Sequence, residues 1–349
     1  MKNLLITSCN ERIGKTTFTL ALVRKFQSMG KRVGYFKPIS SSKDDKDAQV
    51  AKEFLKLSEP IEVINPATIT EWDYDLEQEE IKEIRAKIKK AYDTLIQNYD
   101  FLVIEGCKTM NYLSFLKLSS RELAEMLDAK VLILVSGHTD AQLDDVLLAV
   151  SYFNDQDIPI VGTIFSLVPL EILEREKGIV ARLEQTSEIT VLGLIPDKSA
   201  LAAPTVEEIV QLLGAKYLCC EECKNKIVED FQVGAMELES ALKFFRRSVN
   251  KAVILGGDRP ALALAAMETD TSMIILTGGI YPPSTVLARA QERKIPVVMV
   301  QWDTYTTVQY LATHQVRGIL SSDQPEKVKE WDRIMEEINL QRVLDEINT

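Results

Sequence analysis

The chain has 349 residues, of which 46% are hydrophobic, and 41 basic and 52 acidic residues give it a formal net charge of −11. This length exceeds that of one ordinary domain, so two domains are expected, and the apolar fraction excludes a disordered chain. The acidic balance argues against nucleic acid as a partner, because neutralising phosphates needs a basic surface.

Membrane and metal-binding segments are not expected. No apolar run approaches the roughly 20 residues that span a bilayer, and the opening run is too short for a signal peptide, so we expect a cytoplasmic protein. Three of the five cysteines are Cys219, Cys220 and Cys223, and the only two histidines lie far away in sequence. We expect reduced thiols there rather than a zinc site.

From the start to about residue 215, short β-branched runs alternate with helical stretches. The runs predict strands at 2–7, 32–36, 101–105, 130–135, 158–165 and 190–194. Helices are predicted at 16–29, 45–57 and 119–128, with a further helical pattern within 75–97. Apolar strands of this kind are covered on both faces. The alternation predicts an α/β fold with a doubly wound, mostly parallel sheet and right-handed crossovers.

Residues 216–230 break the alternation and are interpreted as a linker between a first domain at 1–215 and a second at 231–349. In the second domain, strands are predicted at 251–256, 272–277 and 296–301, and helices at 260–268, 284–293 and 304–314. This predicts a smaller α/β domain, to which the last helices of the chain are assigned.

The strongest local signal is the segment Ser8–Thr17, which follows the first predicted strand and opens a helix, as a Walker A loop does. Backbone N–H groups and Lys15 are predicted to hold phosphates, and Thr16 to ligate Mg²⁺, with ATP or GTP as the nucleotide. Cys9 stands where the strict pattern has its first glycine. The predicted nucleotide-binding residues are Asn10, Glu11, Arg12, Ile13, Gly14, Lys15, Thr16 and Thr17.

Two further strand ends carry polar groups. Lys37 follows the second strand and should face the phosphate loop, because ligands bind at the carboxyl ends of strands in open α/β sheets. Asp44, Asp45 and Asp47 come next, and any one of them is either a magnesium ligand or part of a solvated acidic turn. Glu105 ends an apolar strand in the manner of a Walker B acid.

These motifs, in this order, resemble those of dethiobiotin synthetases. The matching segments are Gly14-Lys15-Thr16, Lys37-Pro38-Ile39, Asp47-Ala48 and Ile104-Glu105-Gly106. The resemblance implies that Lys15 and Lys37 bind phosphate, that Lys37 serves the substrate chemistry, and that Thr16, Asp47 and Glu105 surround magnesium. Cys107–Met110 replaces the family's glycine-rich run, and Ser166-Leu167 replaces its Asn-Arg pair.

Over nearly its full length the chain also resembles the N-terminal region of the long form of phosphotransacetylase. Three segments resemble the end of that region's first domain: Leu192–Pro196, Leu201–Thr205 and Leu213–Ala215. Three later segments resemble a DRTGG domain: Gly257–Pro260, Leu276–Gly279 and Trp302–Thr307. The resemblance implies a protein without the transferase domain, so acetyl transfer is not expected.

The DRTGG-like segments offer polar groups at strand ends and helix starts. They are either structural or a site for a small-molecule effector, and the sequence leaves both open. The residues concerned are Asp258, Arg259, Thr277, Gly278, Gly279 and Asp303.

Three functions follow from these patterns. The first is a nucleotide-binding regulatory protein, which agrees with the altered substrate segments, and the second is an ATP-dependent ligase of the dethiobiotin synthetase type. The third, a partitioning ATPase of the MinD kind, ranks last because residues 10–12 lack the extra lysine of such loops. A homodimer is expected, because two-fold assemblies are the commonest.

Overall fold

The computed structural model describes residues 2–42, 47–187, 189–197, 203–314, 320 and 324–348. The chain divides into a first unit, residues 1–198 with 320–349, and a second unit, residues 199–319. Asp44 and Asp45 lie outside the described residues, as does the first part of the helix predicted at 45–57.

The first unit is built on a six-stranded parallel sheet with the order β2-β5-β1-β6-β7-β8. Two very short strands, β3 and β4, pair separately. All six residues of β1 are buried, as expected for a strand covered on both faces. The strands are β1 (Asn3–Ser8), β2 (Val33–Phe36), β3 (Ile39–Ser40), β4 (Ala67–Thr68), β5 (Phe101–Glu105), β6 (Ala129–Ser136), β7 (Ile160–Val168) and β8 (Val191–Pro196).

Helices cover both faces of this sheet, which confirms the predicted doubly wound α/β class. The helices up to β8 are α1 (Lys15–Ser28), α2 (Asp47–Leu55), α3 (Ile61–Ile64), α4 (Gln78–Leu95), α5 (Ser120–Met126), α6 (Gln142–Asn154) and α7 (Leu173–Thr186). Helices α4 to α7 share one apolar core with the sheet. Helix α4 begins with a reciprocal capping box between Glu77 and Glu80.

The second unit has a five-stranded sheet with the order β10-β11-β12-β13-β9. Its strands are β9 (Lys216–Cys219), β10 (Asp230–Val233), β11 (Lys251–Gly256), β12 (Thr271–Thr277) and β13 (Val297–Met299). Its helices are α8 (Val206–Leu213), α9 (Leu238–Phe245), α10 (Pro260–Met267), α11 (Ser284–Arg293) and α12 (Thr304–His314). Helices α9 to α11 pack on one face of the sheet, and α8 and α12 on the other.

The segment predicted as a linker, 216–230, is part of the second sheet. Its first residues form β9, which pairs antiparallel with β13, and its last form the start of β10, which pairs parallel with β11. The second unit accordingly begins at 199 rather than at 231. Edge strands of four residues carry too little periodicity to be recognised in a sequence.

The last two helices, α13 (Pro325–Glu337) and α14 (Leu340–Asn348), pack on the first unit, not on the second as expected. The backbone N–H of Lys2 donates to the carbonyl of Ile347 (2.7 Å), and that of Asn339 to the carbonyl of Leu192 (2.9 Å). An amphipathic pattern shows that a helix covers an apolar core but does not show which core. The last helices were assigned to the second domain because they follow it in sequence, and that assignment was wrong.

Within the described residues, none of the helices is both long enough and apolar enough to cross a membrane.

Candidate phosphate and metal site

The loop between β1 and α1 has the backbone of a phosphate-binding turn. Gly14, immediately before the helix, has φ of 82°, and Arg12 has φ of 58°. A Cβ built on Gly14 would meet nothing within 4 Å, so the left-handed backbone is what requires glycine there. The turn leads into the amino end of a 14-residue helix, where backbone N–H groups and the helix dipole favour an anion.

The first residues of the loop are anchored to the neighbouring strand. The Asn10 side chain donates to Asp145 Oδ2 (3.2 Å) and accepts from the backbone N–H of Ser136 (3.1 Å). Cys9, in place of the strict motif's first glycine, donates its backbone N–H to Leu134 O (3.0 Å). Burial, with a smaller contribution from Asp145, raises the pKa of the Cys9 thiol to about 12, so this cysteine stays a thiol.

Not every residue predicted to bind nucleotide presents its side chain at the loop surface. Glu11 and Arg12 are exposed at the tip, whereas the side chains of Ile13 and Thr17 are buried. The carbonyl of Ile13 accepts a hydrogen bond from Ser166 Oγ (2.8 Å), which holds the loop against the end of β7.

The ammonium group of Lys15 turns toward the segment that follows β5. It donates to the carbonyl of Cys107, to the carbonyl of Lys108 (3.0 Å) and to Ser8 Oγ (3.5 Å). Burial lowers the pKa of this ammonium, while the Glu105 carboxylate acts in the opposite direction. Three oxygen acceptors therefore hold the cation beside the loop.

Thr16, Asp47 and Glu105, predicted to surround magnesium, meet at the carboxyl edge of the sheet. Thr16 Oγ1 lies 2.6 Å from Glu105 Oε1 and 3.1 Å from Asp47 Oδ2. Lys37 Nζ lies 2.5 Å from Asp47 Oδ2 and 3.8 Å from Glu105 Oε1. Burial raises the pKa of Glu105, and the nearby Lys37 ammonium opposes that rise.

Tyr35 belongs to this cluster and was missed in the sequence. Its hydroxyl donates to Glu105 Oε2 (2.7 Å), and the side chain is fully buried in β2. A tyrosine within an apolar strand is usually a core residue, so nothing singled it out. A usable signal was its spacing from Lys37, because residues two apart in extended chain point to the same face.

The donor set suits a magnesium ion. Two carboxylates and one hydroxyl converge, and Mg²⁺ prefers such oxygen ligands, completed by water and phosphate oxygens. In the part of the chain that the structure describes, no group of three or more His, Cys, Asp or Glu side chains is placed to hold a metal. The Thr16 site has only two carboxylates, so nucleotide and water would have to supply its remaining ligands.

The two segments that depart from the synthetase pattern have defined local roles. Lys108, in the segment after Glu105, donates to Glu71 Oε2 (3.1 Å) and lies over the ring of Tyr112. Leu167 has φ of 59°, and its carbonyl lies 2.7 Å from His138 Nδ1.

In the second unit, the predicted ligand residues mostly hold strand ends together. The backbone N–H groups of Gly278 and Gly279 donate to the carbonyls of Trp302 (2.7 Å) and Val300 (2.9 Å). Thr277 Oγ1 pairs with Thr304 Oγ1 at 2.7 Å. These contacts join the end of β12 to the segment after β13.

Asp303 caps helix α12. Its carboxylate accepts from the backbone N–H of Thr306 (3.0 Å) and from the Thr306 hydroxyl (2.6 Å), and this hydroxyl lowers the pKa of Asp303. Asp258 and Arg259 are exposed, with Arg259 Nη1 3.5 Å from the carbonyl of Ala235. Gly278 and Asp303 are exposed as well, whereas Thr277 is buried.

The sheet is parallel, and the turn between β1 and α1 carries a left-handed glycine followed by Lys15 and Thr16, beside the strand-end acid Glu105. These features together define a P-loop NTPase fold. The chain belongs to the AAA_26 family, described as an AAA domain, whose model matches residues 2–205. A second model, the DRTGG domain, matches residues 208–313.

Relatives agree with both resemblances seen in the sequence. A phosphate acetyltransferase of Nitrosomonas europaea is 23% identical over 350 residues, covering 94% of this chain and 49% of that protein. An ATP-dependent dethiobiotin synthetase of Methanocaldococcus jannaschii is 26% identical over 204 residues, covering 56% of this chain and 94% of that protein. The chain thus spans about half the length of the phosphate acetyltransferases it matches, and it corresponds to their N-terminal region.

Solved structures resemble parts of the chain more distantly. The MinC:MinD cell division complex of Aquifex aeolicus is 17% identical, with a TM-score of 0.40, covering 58% of this chain and 84% of that one. The CBS and DRTGG domains of a Clostridium perfringens pyrophosphatase, complexed with diadenosine tetraphosphate, are 25% identical, with a TM-score of 0.29. The match covers 35% of this chain and 52% of the pyrophosphatase chain.

Proposed function

We propose that the first unit binds ATP together with Mg²⁺ and that the protein uses this binding for regulation. The observation that carries the proposal is the meeting of Thr16, Lys37, Asp47 and Glu105 within hydrogen-bonding or ion-pairing reach at one sheet edge, with Lys15 beside Thr16 at the start of α1. These are two cations suited to phosphate and three oxygen donors suited to magnesium.

Each group has a distinct part in this proposal. The backbone N–H groups of the loop and of the start of α1 would hold the phosphates, and Lys15 would leave its carbonyl acceptors to neutralise them. Thr16, Asp47 and Glu105 would hold Mg²⁺, which supplies positive charge against the phosphate oxygens. Lys37 is buried beside both carboxylates, so it balances their charge, and its ammonium would lie close to the terminal phosphate of a bound nucleotide.

A regulatory role is favoured over ligation by the segment after Glu105. In place of a glycine-rich run, this segment carries side chains, and Lys108 donates to Glu71 Oε2 and lies over the ring of Tyr112, contacts that do not involve Lys15. This arrangement leaves the segment occupied by internal contacts instead of open to a small substrate.

The alternative is an ATP-dependent ligase of the dethiobiotin synthetase type. It is supported by Lys37, which is 5% exposed and lies at the metal site, where a substrate acid could meet the terminal phosphate. In that case phosphate release would depend on a small amine or carboxylic acid.

A regulatory protein needs a second site, and the second unit offers a place for an effector. Helix α11, which follows β12, and helix α12, which follows β13, lie on opposite faces of the sheet, and ligands bind where connections diverge in this way. The segments after these strands expose Tyr281, Trp302 and Tyr305, which could stack on a planar ring.

Calorimetric titration with ATP, ADP and GTP, with and without Mg²⁺, followed by a phosphate-release assay, tests the proposal. Magnesium-dependent binding with negligible release supports regulation. Release stimulated by a diamine or carboxylic acid would establish the ligase instead, and the absence of nucleotide binding would refute both. The homodimer and the cytoplasmic location stay predictions.

A further inference from the structure

The two oxygens of the Glu105 carboxylate have different partners, because the buried Tyr35 hydroxyl binds one of them. Tyr35 donates to Oε2 at 2.7 Å, whereas Oε1 accepts from Thr16 Oγ1 at 2.6 Å and lies 3.8 Å from Lys37 Nζ. Strand β2 runs parallel to β5 with Tyr35 opposite Val103, so the tyrosine side chain spans the two residues to the end of β5.

A separate partner for each carboxylate oxygen fixes the orientation of a metal ligand. The last torsion of a glutamate side chain is soft, so a carboxylate held at one oxygen alone can rotate. Groups that hydrogen-bond to a metal ligand from behind fix its orientation and change metal affinity by roughly 10- to 100-fold. Tyr35 is 1% exposed and therefore packed on all sides, which fixes the position of its hydroxyl.

We propose that Tyr35 is a positioning residue for the magnesium site: its hydroxyl holds Oε2 of Glu105 so that Oε1 faces Thr16 and the metal. This inference rests on the proposed nucleotide and magnesium binding. A purely structural tyrosine would fill the same space, but its hydroxyl would not need to meet the acid at the strand tip.

The test compares Tyr35→Phe with the wild-type protein in calorimetric titrations with ADP. In EDTA, the variant should bind ADP as the wild type does, because the phosphate loop is unchanged. With Mg²⁺ added stepwise, the concentration giving half of the metal-dependent gain in affinity should rise roughly tenfold. Tyr92→Phe is the matched control, because it removes another buried hydroxyl, hydrogen-bonded to Asn3 Nδ2 at 2.7 Å away from this site. It should titrate with Mg²⁺ like the wild type.

A second variant separates positioning from general damage. If Tyr35 acts through Glu105, adding Tyr35→Phe to Glu105→Gln should produce no further shift in the Mg²⁺ requirement. A wild-type Mg²⁺ requirement in Tyr35→Phe, or additive shifts in the double variant, would overturn the inference. A loss of ADP affinity in EDTA equal to that in Mg²⁺ would also overturn it, by showing a structural role. Failure of the wild type to bind ADP at all would instead refute the proposed function on which the inference rests.

Discussion

At the scale of single residues, the candidate site is held together by its own charged groups. Lys15 is satisfied by carbonyl oxygens, and Lys37 by Asp47 and Glu105. A buried ammonium without such partners would be costly, so the protein supplies acceptors that a phosphate would have to replace. In the proposed function, a bound nucleotide would replace these acceptors, and its affinity would be the difference between two sets of hydrogen bonds.

Two glycines allow the cost of a left-handed backbone to be separated from the cost of steric contact with an added Cβ atom. Gly14 has φ of 82°, Gly178 lies within helix α7, and a Cβ on either would meet nothing within 4 Å. Gly14→Ala should therefore destabilise the first unit by about 1–2 kcal/mol, because alanine resists the left-handed conformation. Gly178→Ala should stabilise it by roughly 0.5–1 kcal/mol through helix propensity.

Denaturant unfolding of the two glycine variants beside the wild type measures this difference. Equal changes in the free energy of unfolding for both variants would contradict the assignment of backbone strain to Gly14.

At the scale of elements, the segment between Glu105 and α5 joins the phosphate loop to a group of aromatic side chains. The backbone N–H of Met110 donates to Ser8 O (2.8 Å), and the side chain of Ser8 to Lys108 O (3.2 Å). Tyr74 lies against both Tyr112 and the exposed Phe115. A change in the hydrogen bonds of Lys15 is therefore expected to affect the conformation of this segment and of the aromatic side chains beside it.

Nucleotide binding should loosen this segment. If Lys15 leaves the carbonyls of Cys107 and Lys108 for a phosphate, amides 107–112 lose an anchor and should exchange with solvent faster, while those of the phosphate loop become protected. Hydrogen exchange with and without ADP and Mg²⁺ measures both. Slowed or unchanged hydrogen exchange at amides 107–112 in the saturated protein would contradict the release of Lys15 from the carbonyls of this segment. The amides of α9, in the second unit, serve as an internal control.

Much of each sheet could be predicted from the sequence, and the exceptions have physical reasons. The strands at 101–105 and 251–256 match the structure, because β-branched apolar runs are distinctive when a strand is covered on both faces. Lys216–Cys219 was missed because a short edge strand depends on its neighbour for its conformation. Tyr35 was missed because a hydrogen bond between adjacent strands is set by register, which periodicity alone does not give.

At the scale of the whole molecule, the first unit is completed by the far end of the chain. Helix α13 packs against α1, with Arg24 Nη2 3.3 Å from Asp332 Oδ2. Helix α14 packs against β7, and Lys130 Nζ donates to the carbonyl of Glu346 at 2.5 Å. The first unit is therefore discontinuous in sequence, with the second unit inserted before its last helices.

Truncating a buried side chain of α14 should weaken the first unit. Ile347 is fully buried, so Ile347→Ala should lower the free energy of unfolding by about 2–4 kcal/mol. Leu238→Ala, at a 40% exposed position in the second unit, is the control and should change stability little. Thermal unfolding with and without ADP and Mg²⁺ assigns the transition, because the nucleotide stabilises only the unit that binds it. If Ile347→Ala lowered only the unfolding temperature of the transition that ADP does not shift, α14 would not stabilise the first unit, and its placement there would be contradicted.

The most direct test of the central claim is calorimetric titration of the full chain with ATP and Mg²⁺, comparing the wild type with Lys15→Ala and Lys25→Ala. Lys25 lies on the same helix but pairs with Glu336 (3.6 Å) away from the loop, so its loss should leave binding unchanged. Lys15→Ala should fold normally and bind ATP roughly a hundredfold more weakly, as expected for the loss of charged hydrogen bonds to phosphate. Wild-type affinity in a well-folded Lys15→Ala protein would contradict the assignment of this loop to phosphate binding.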